Sequence, residues 1–133
     1  MPKKWILVVD DDPAILRIVS EALEHPSLRV TTAAESMHAF VQARDLKPHV
    51  IVSDILMPGH NGTEIVKLLR EDANVPRMPI VFMTGMDPAK ARELLPKNDP
   101  LVSLVQKPFD LHALRDRIWD LAGLNEIVPP PGW

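Results

Sequence analysis

Four groups of reactive side chains in this chain each stand at the end of a short apolar run. Asp10, Asp11 and Asp12 follow Trp5-Ile6-Leu7-Val8-Val9, and Asp54 follows Val50-Ile51-Val52-Ser53. Thr84 follows Ile80-Val81-Phe82-Met83, and Lys107 follows Leu104-Val105-Gln106. Brought together, carboxylates, a hydroxyl and an ammonium equip a site for a divalent cation and a phosphoryl group. Clustered carboxylates repel one another and stay ionised together only beside a cation. An all-oxygen ligand set suits a hard ion, and a small site that keeps several waters favours Mg2+. A carboxylate beside such an ion can attack a phosphoryl group to give an acyl phosphate. Asp54, alone at the end of its run, is the candidate for that attack. Lys107 would offer a point charge and Thr84 a hydroxyl donor to the phosphoryl oxygens. Gly85 leaves space for the group to enter, and Pro108 shapes the loop behind Lys107.

These residues converge only if the apolar runs are neighbouring parallel strands. Runs of four to six apolar residues alternate with helically patterned stretches, five of each, which is the pattern of β-α units around a mainly parallel sheet. Asp12-Pro13 predicts an N-cap and first helical residue. Ile15, Ile18, Val19, Ala22 and Leu23 follow at helical spacing until His25-Pro26. Leu28 to Thr32 reads as a less buried edge strand. Glu35 to Leu46 reads as a second helix with Met37, Phe40, Val41 and Leu46 inward, closed by Lys47-Pro48. A strand from His49 to Ser53 comes next. A third helix from about Thr63 to Glu71 would bury Ile65, Val66, Leu68 and Leu69, and strand four follows Pro79. A short fourth helix opens at Asp87-Pro88 and ends near Leu95-Pro96. Asp110 caps the last helix, with Leu111, Leu114, Ile118 and Leu121 as its stripe and Gly123 as its stop. Right-handed crossovers give a doubly wound, flavodoxin-like sheet of order 2-1-3-4-5 with five helices on two faces. In that order Asp10, Asp11 and Asp54 face one another across the point where the winding reverses.

The rest of the composition narrows the function. At 133 residues, 46% hydrophobic and 25% charged, the chain has the size of one domain, expected over residues 1–123. Residues 124–133, with Pro129-Pro130-Pro131-Gly132, read as an extended tail or linker stub. A net charge of −3 with scattered Lys and Arg gives no footprint for direct nucleic-acid binding. The absence of cysteine excludes disulfides, thiolate metal sites and cysteine nucleophiles, and fits a cytoplasmic setting. The basic-then-apolar start stops at three aspartates after five residues, so it reads as a strand rather than a leader. No run is long enough to span a membrane.

Four motifs carry a family resemblance: Val8-Val9-Asp10-Asp11-Asp12, Asp54 through Gly62 with Met57-Pro58-Gly59 inside it, Phe82-Met83-Thr84-Gly85, and Lys107-Pro108-Phe109. In this order and spacing they resemble the receiver domain of two-component response regulators, over residues 4 to about 122. The resemblance implies that Asp54 is the phosphoacceptor, supplied by a histidine kinase or a histidine phosphotransfer protein. It implies Mg2+ held by Asp11, Asp54 and the backbone carbonyl of Leu56, with Asp10 acting through water. It implies that Lys107 meets a phosphoryl oxygen, that a cis peptide precedes Pro108, and that Thr84 is the switch residue. It also implies a signalling domain rather than an enzyme, with a possible homodimer through the helix 4, strand 5 and helix 5 face. Many receivers carry an aromatic residue three positions before the lysine, where this chain has Leu104. Leu56 and Met86 are apolar where some receivers carry water-orienting groups, which predicts a long-lived acyl phosphate.

Plainer roles compete for the same residues. Asp12, directly before Pro13, is assigned to the helix cap. An isolated Asp at a strand end is usually a turn residue, an isolated Thr a β-former and an isolated Lys a solvated charge. Five histidines spread over different elements argue against a histidine metal site. Trp119 and Ala122 lie off the last helix's stripe, with intramolecular packing expected for Trp119 and a partner surface as the alternative. Leu16, also off its line, is a candidate for contact with a kinase helix, with an ordinary exposed Leu as the alternative. The main functional rival is a haloacid-dehalogenase-like, Mg2+-dependent phosphatase using Asp10 as nucleophile and Asp12 as acid/base. Ala14 and the lack of a later acidic pair count against it. A receiver-like interaction module that needs no phosphate is a second rival. A stand-alone relay and a piece of a larger regulator or hybrid kinase both accommodate the chain.

Overall fold

A computed structural model of the chain describes residues 3–57, 60–61, 63–107 and 110–124, without the side chains of 56, 57, 60 and 61. The elements in order are β1 (Lys4–Val9), α1 (Pro13–Ala22), β2 (Leu28–Ala33), α2 (Ser36–Leu46), β3 (Val50–Asp54), β4 (Leu56–Met57), β5 (His60–Asn61), α3 (Thr63–Glu71), β6 (Ile80–Thr84), α4 (Pro88–Leu94), β7 (Val102–Gln106) and α5 (Leu111–Leu121). Five strands form one parallel sheet in the order β2-β1-β3-β6-β7. Counting only those strands, this is the expected 2-1-3-4-5. The two-residue strands β4 and β5 pair antiparallel just past Asp54, an addition that the apolar runs did not signal. Pro58, Gly59, Gly62, the Pro108 peptide and the tail from Asn125 lie outside the described residues.

The central strands read as continuous apolar runs because both of their faces are covered. Side chains alternate across a strand, so Leu7, Val9, Ile51, Ile80 and Phe82 enter one cluster and Ile6, Val8, Val50, Val52, Val81 and Met83 the other. Ala39 and Ala43 of α2, Ile65, Val66 and Leu69 of α3, and Ala91 of α4 close the first. Val19 within α1 and Leu23 just past its end, with Leu114, Ile118 and Trp119 of α5, close the second. Each fully buried Ile, Leu or Phe contributes roughly 1.5–3 kcal/mol of transfer free energy. As expected, β2 lies at a sheet edge, with Leu28 and Ala33 buried and Arg29 and Thr32 exposed, but it is not the least buried strand: the other edge, β7, has no buried residue. Leu124, just past Gly123, is also buried in the second cluster, and its N–H donates to the Trp119 carbonyl at 3.2 Å.

Local signals place the helix starts. Asp12, Asp87 and Asp110 each accept a hydrogen bond from the backbone N–H two residues on, at 2.9, 3.1 and 2.9 Å, and so cap α1, α4 and α5. The inward faces differ in part from expectation. Met37 and Val41 of α2 are 51% and 38% exposed, and the small residues Ser36, Ala39 and Ala43 face the sheet. Two stripes of α2 are apolar, and the stripe of small side chains lets the helix lie close to the strands. Ile18 and Leu68 also stand partly in solvent, both 40% exposed. Trp119 and Ala122 are buried, so they form no partner surface; the Trp119 ring packs edge-on against His25 at 4.8 Å. Leu16 is half-buried against the second cluster instead of standing free.

Candidate functional site

The carboxyl ends of β1, β3, β6 and β7 deliver the reactive residues to one edge of the sheet. Asp10 follows β1, Asp54 ends β3, Thr84 ends β6 and Lys107 follows β7. Asp10, Asp11 and Asp54 each offer a carboxylate oxygen, and these oxygens lie within 4.8 Å of one another. Asp10 is fully buried, Asp54 half-buried and Asp11 exposed. The cation that such a cluster requires is partly built in: Lys107 Nζ lies 3.0 Å from Asp10 Oδ2 and 3.6 Å from Asp54 Oδ2. Burial alone would lower the pKa of the Lys107 ammonium. The hydrogen bond it donates to Asp10 and the charges of Asp54 and Asp10 outweigh that and hold it above its ordinary value. The other Asp10 oxygen accepts the Asp12 N–H at 2.9 Å, which orients the buried carboxylate toward the lysine.

The neighbouring backbone holds these groups in place. Asp54 pairs in register with Met83, and the Ile55 N–H donates to the Met83 carbonyl at 3.2 Å. The buried Ser53 hydroxyl donates to the Asp54 carbonyl at 3.0 Å. Thr84 is buried, and its Oγ1 accepts the Met86 N–H at 3.0 Å. The Lys107 N–H donates to the Thr84 carbonyl at 2.6 Å, which joins the ends of β6 and β7. A Cβ added to Gly85 would meet no protein atom within 4 Å, so the space beside Thr84 is open. Leu56 lies in β4, two residues beyond Asp54. Leu104 is half-buried against the first cluster, as is Met86. The geometry thus joins Asp10, Asp11, Asp54 and Lys107 directly, and Thr84 through the backbone. Sequence reasoning passed over Gln106, whose Nε2 donates to the Met86 carbonyl at 3.4 Å. Its position opposite Thr84 in the β6–β7 ladder was the signal, and only the strand register shows it.

The comparison that decides the family is a match of residues 6–119 to the response regulator receiver domain model. The chain belongs to the response regulator receiver domain family. Among curated relatives of this receiver domain is the DNA-binding response regulator MtrA of Mycolicibacterium smegmatis, 33% identical over 127 residues, which are 96% of this chain and 54% of that protein. The alkaline phosphatase synthesis transcriptional regulatory protein PhoP of Bacillus subtilis is 31% identical over 127 residues, 96% of this chain and 52% of that protein. The chain therefore spans about half the length of these two relatives. Among solved structures, the chemotaxis response regulator CheY4 of Vibrio cholerae matches with a TM-score of 0.78 at 28% identity, covering 90% of this chain and 98% of that one. A signal receiver domain from Bermanella marisrubri matches with a TM-score of 0.73 at 31% identity, covering 90% and 98%. The phosphatase alternative finds no support, and the Asp12 carboxylate assigned to acid/base work there is engaged in capping α1. Among the described residues no helix is long and apolar enough to cross a membrane.

Proposed function

We propose that Asp54 of this receiver domain is the phosphoacceptor. One observation carries the reading: the Asp54 carboxylate sits 3.6 Å from the Lys107 ammonium and within 4.8 Å of both Asp10 and Asp11. An Asp54 oxygen attacks phosphorus, the bond from phosphorus to a donor's histidine nitrogen breaks, and the released imidazole takes a proton from solvent. The donor is a histidine kinase or a histidine phosphotransfer protein. The three carboxylates suit a hard divalent cation, so Asp11, Asp54 and the Leu56 carbonyl would hold Mg2+, with Asp10 acting through water. Bound there, Mg2+ would neutralise charge on the phosphoryl oxygens. Lys107 neutralises a further oxygen, and its ion pair with Asp54 keeps the ammonium at the reacting position. The Thr84 hydroxyl turns toward the new charge across the open space at Gly85.

In this reading the domain is a phosphorylation switch with only slow self-dephosphorylation and no substrate turnover. Apolar Leu56 and Met86 favour a long-lived acyl phosphate. The domain works in the cytoplasm, makes no direct contact with nucleic acid, and has its homodimer face on α4, β7 and α5. Acetyl phosphate with Mg2+ is expected to label the wild-type protein and leave Asp54→Asn unlabelled. Label on Asp10, or turnover of phosphate monoesters, would overturn the proposal.

A further inference from the structure

Residue 104 offers no polar group to report on Thr84, yet a second residue on the same face of β7 touches the turn that holds the Thr84 hydroxyl. Leu104 is half-buried against the cluster that also takes Met86 and Leu95. Gln106 lies two residues further along β7, on the same side of the strand and one pleat nearer the site. We infer that Gln106 is a positioning residue for Thr84, acting through the Gly85-Met86 turn. The inference rests on Asp54 being the phosphoacceptor.

The contacts form a closed loop. Thr84 Oγ1 accepts the Met86 N–H at 3.0 Å, and the Met86 carbonyl accepts from Gln106 Nε2 at 3.4 Å. Gln106 is the cross-strand partner of Thr84, and the next residue's N–H holds the Thr84 carbonyl at 2.6 Å. A hydroxyl carries one donor hydrogen and two acceptor lone pairs. With Met86 N–H on one lone pair, the hydrogen is directed away from the turn and is left to donate. Pinning the turn from its carbonyl side therefore presets the hydroxyl as a donor toward the group that arrives on Asp54. The Gln106 contact is long, and a shift of the turn by a few tenths of an ångström would close or break it. Gln106 is exposed, so such a shift reaches the surface beside α4 without an aromatic at position 104.

A double-mutant cycle tests this, with beryllofluoride and Mg2+ as the phosphoryl mimic and binding followed by NMR of the full chain. Gln106→Met keeps the side-chain length but removes the donor, and is expected to weaken beryllofluoride binding about threefold. In a Thr84→Val background the same substitution should have no further effect, because the hydroxyl it positions is gone. The Gln106 side-chain amide resonances should shift on beryllofluoride addition to wild type and stay in place in Thr84→Val. Unchanged affinity in Gln106→Met, or an equal loss in both backgrounds, would overturn the inference and leave the role of Asp54 standing. A wild-type protein that takes up no beryllofluoride would overturn both.

Discussion

Lys107 is the residue on which the electrostatics of the site turn. Its ammonium pairs with a fully buried carboxylate and a half-buried one, and is itself partly exposed. Replacing it by Met leaves three clustered carboxylates without their built-in cation. Lys107→Met is expected to lower unfolding stability by about 1–3 kcal/mol in chelator, less than for a fully buried pair because solvent screens the ammonium. Added Mg2+ should recover most of the loss, and urea titrations with and without Mg2+ measure both. An equal loss in both conditions would mean that lysine and metal do not share the carboxylates. Because its pKa is raised, the Lys107 contribution is present below its ordinary value of 10.5 and fades as pH climbs through the higher folded value. His49 behaves in the opposite sense. Its Nδ1 accepts the Trp5 N–H at 2.9 Å, and burial first, then the Lys4 charge, hold its pKa below 6.5. The folded state thus prefers neutral imidazole, and stability present above pH 6.5 should fall as pH drops below it. His49→Gln should flatten that slope between pH 7.5 and 5 in thermal melts.

At the scale of elements, α2 shows what a helical repeat leaves undecided. Its large apolar side chains, Met37 and Val41, stand in solvent, while Ala39 and Ala43 meet the sheet. Met37→Gln should therefore change stability by less than about 0.5 kcal/mol, as exposed substitutions do. Ala39→Leu should cost about 1–3 kcal/mol, because a close-packed face has no room for three more carbons. Denaturant midpoints of the two variants settle the orientation, since an inward Met37 would reverse the ranking. The caps were readable for a local reason: Asp followed by Pro or by a helical run bonds a backbone N–H two residues away, with no tertiary help needed. Helix α3 matched its expected range for a similar reason, yet Leu68 is 40% exposed because its stripe is wider than the face it covers.

At the scale of the whole molecule, the sheet edge opposite the site is fastened by a partly buried ion pair. Arg70 of α3 meets Asp99 at 3.1 Å and donates to the Met78 carbonyl at 2.8 Å, while Asp99 also accepts the Leu101 N–H at 3.0 Å. One guanidinium thus joins α3 to the approaches of β6 and β7, the strands that carry Thr84 and Lys107. Burial would raise the Asp99 pKa, but the hydrogen bonds from Arg70 and Leu101 and the Arg charges outweigh it and hold it below 3.8. Asp99→Asn is expected to cost about 1–3 kcal/mol at pH 7 by leaving the Arg70 charge without its carboxylate, less than for a fully buried pair because solvent reaches both groups. That difference should shrink as pH falls below 3.8 toward the folded value, where the wild-type carboxylate also loses its charge. Unfolding free energies of the two proteins across that range provide the check. The sequence alone was enough to determine the five β-α units, the strand order, the capped helix starts and the gathering of Asp10, Asp11, Asp54, Thr84 and Lys107 at one edge. Apolar periodicity, local capping and crossover handedness are properties of the chain itself. The tertiary structure alone decided which apolar stripe of α2 turns inward, that Trp119 is core, that Lys107 pairs with the buried Asp10, and that Gln106 reaches the turn behind Thr84. Each of those depends on distances between residues far apart in the chain, which only packing and strand register set.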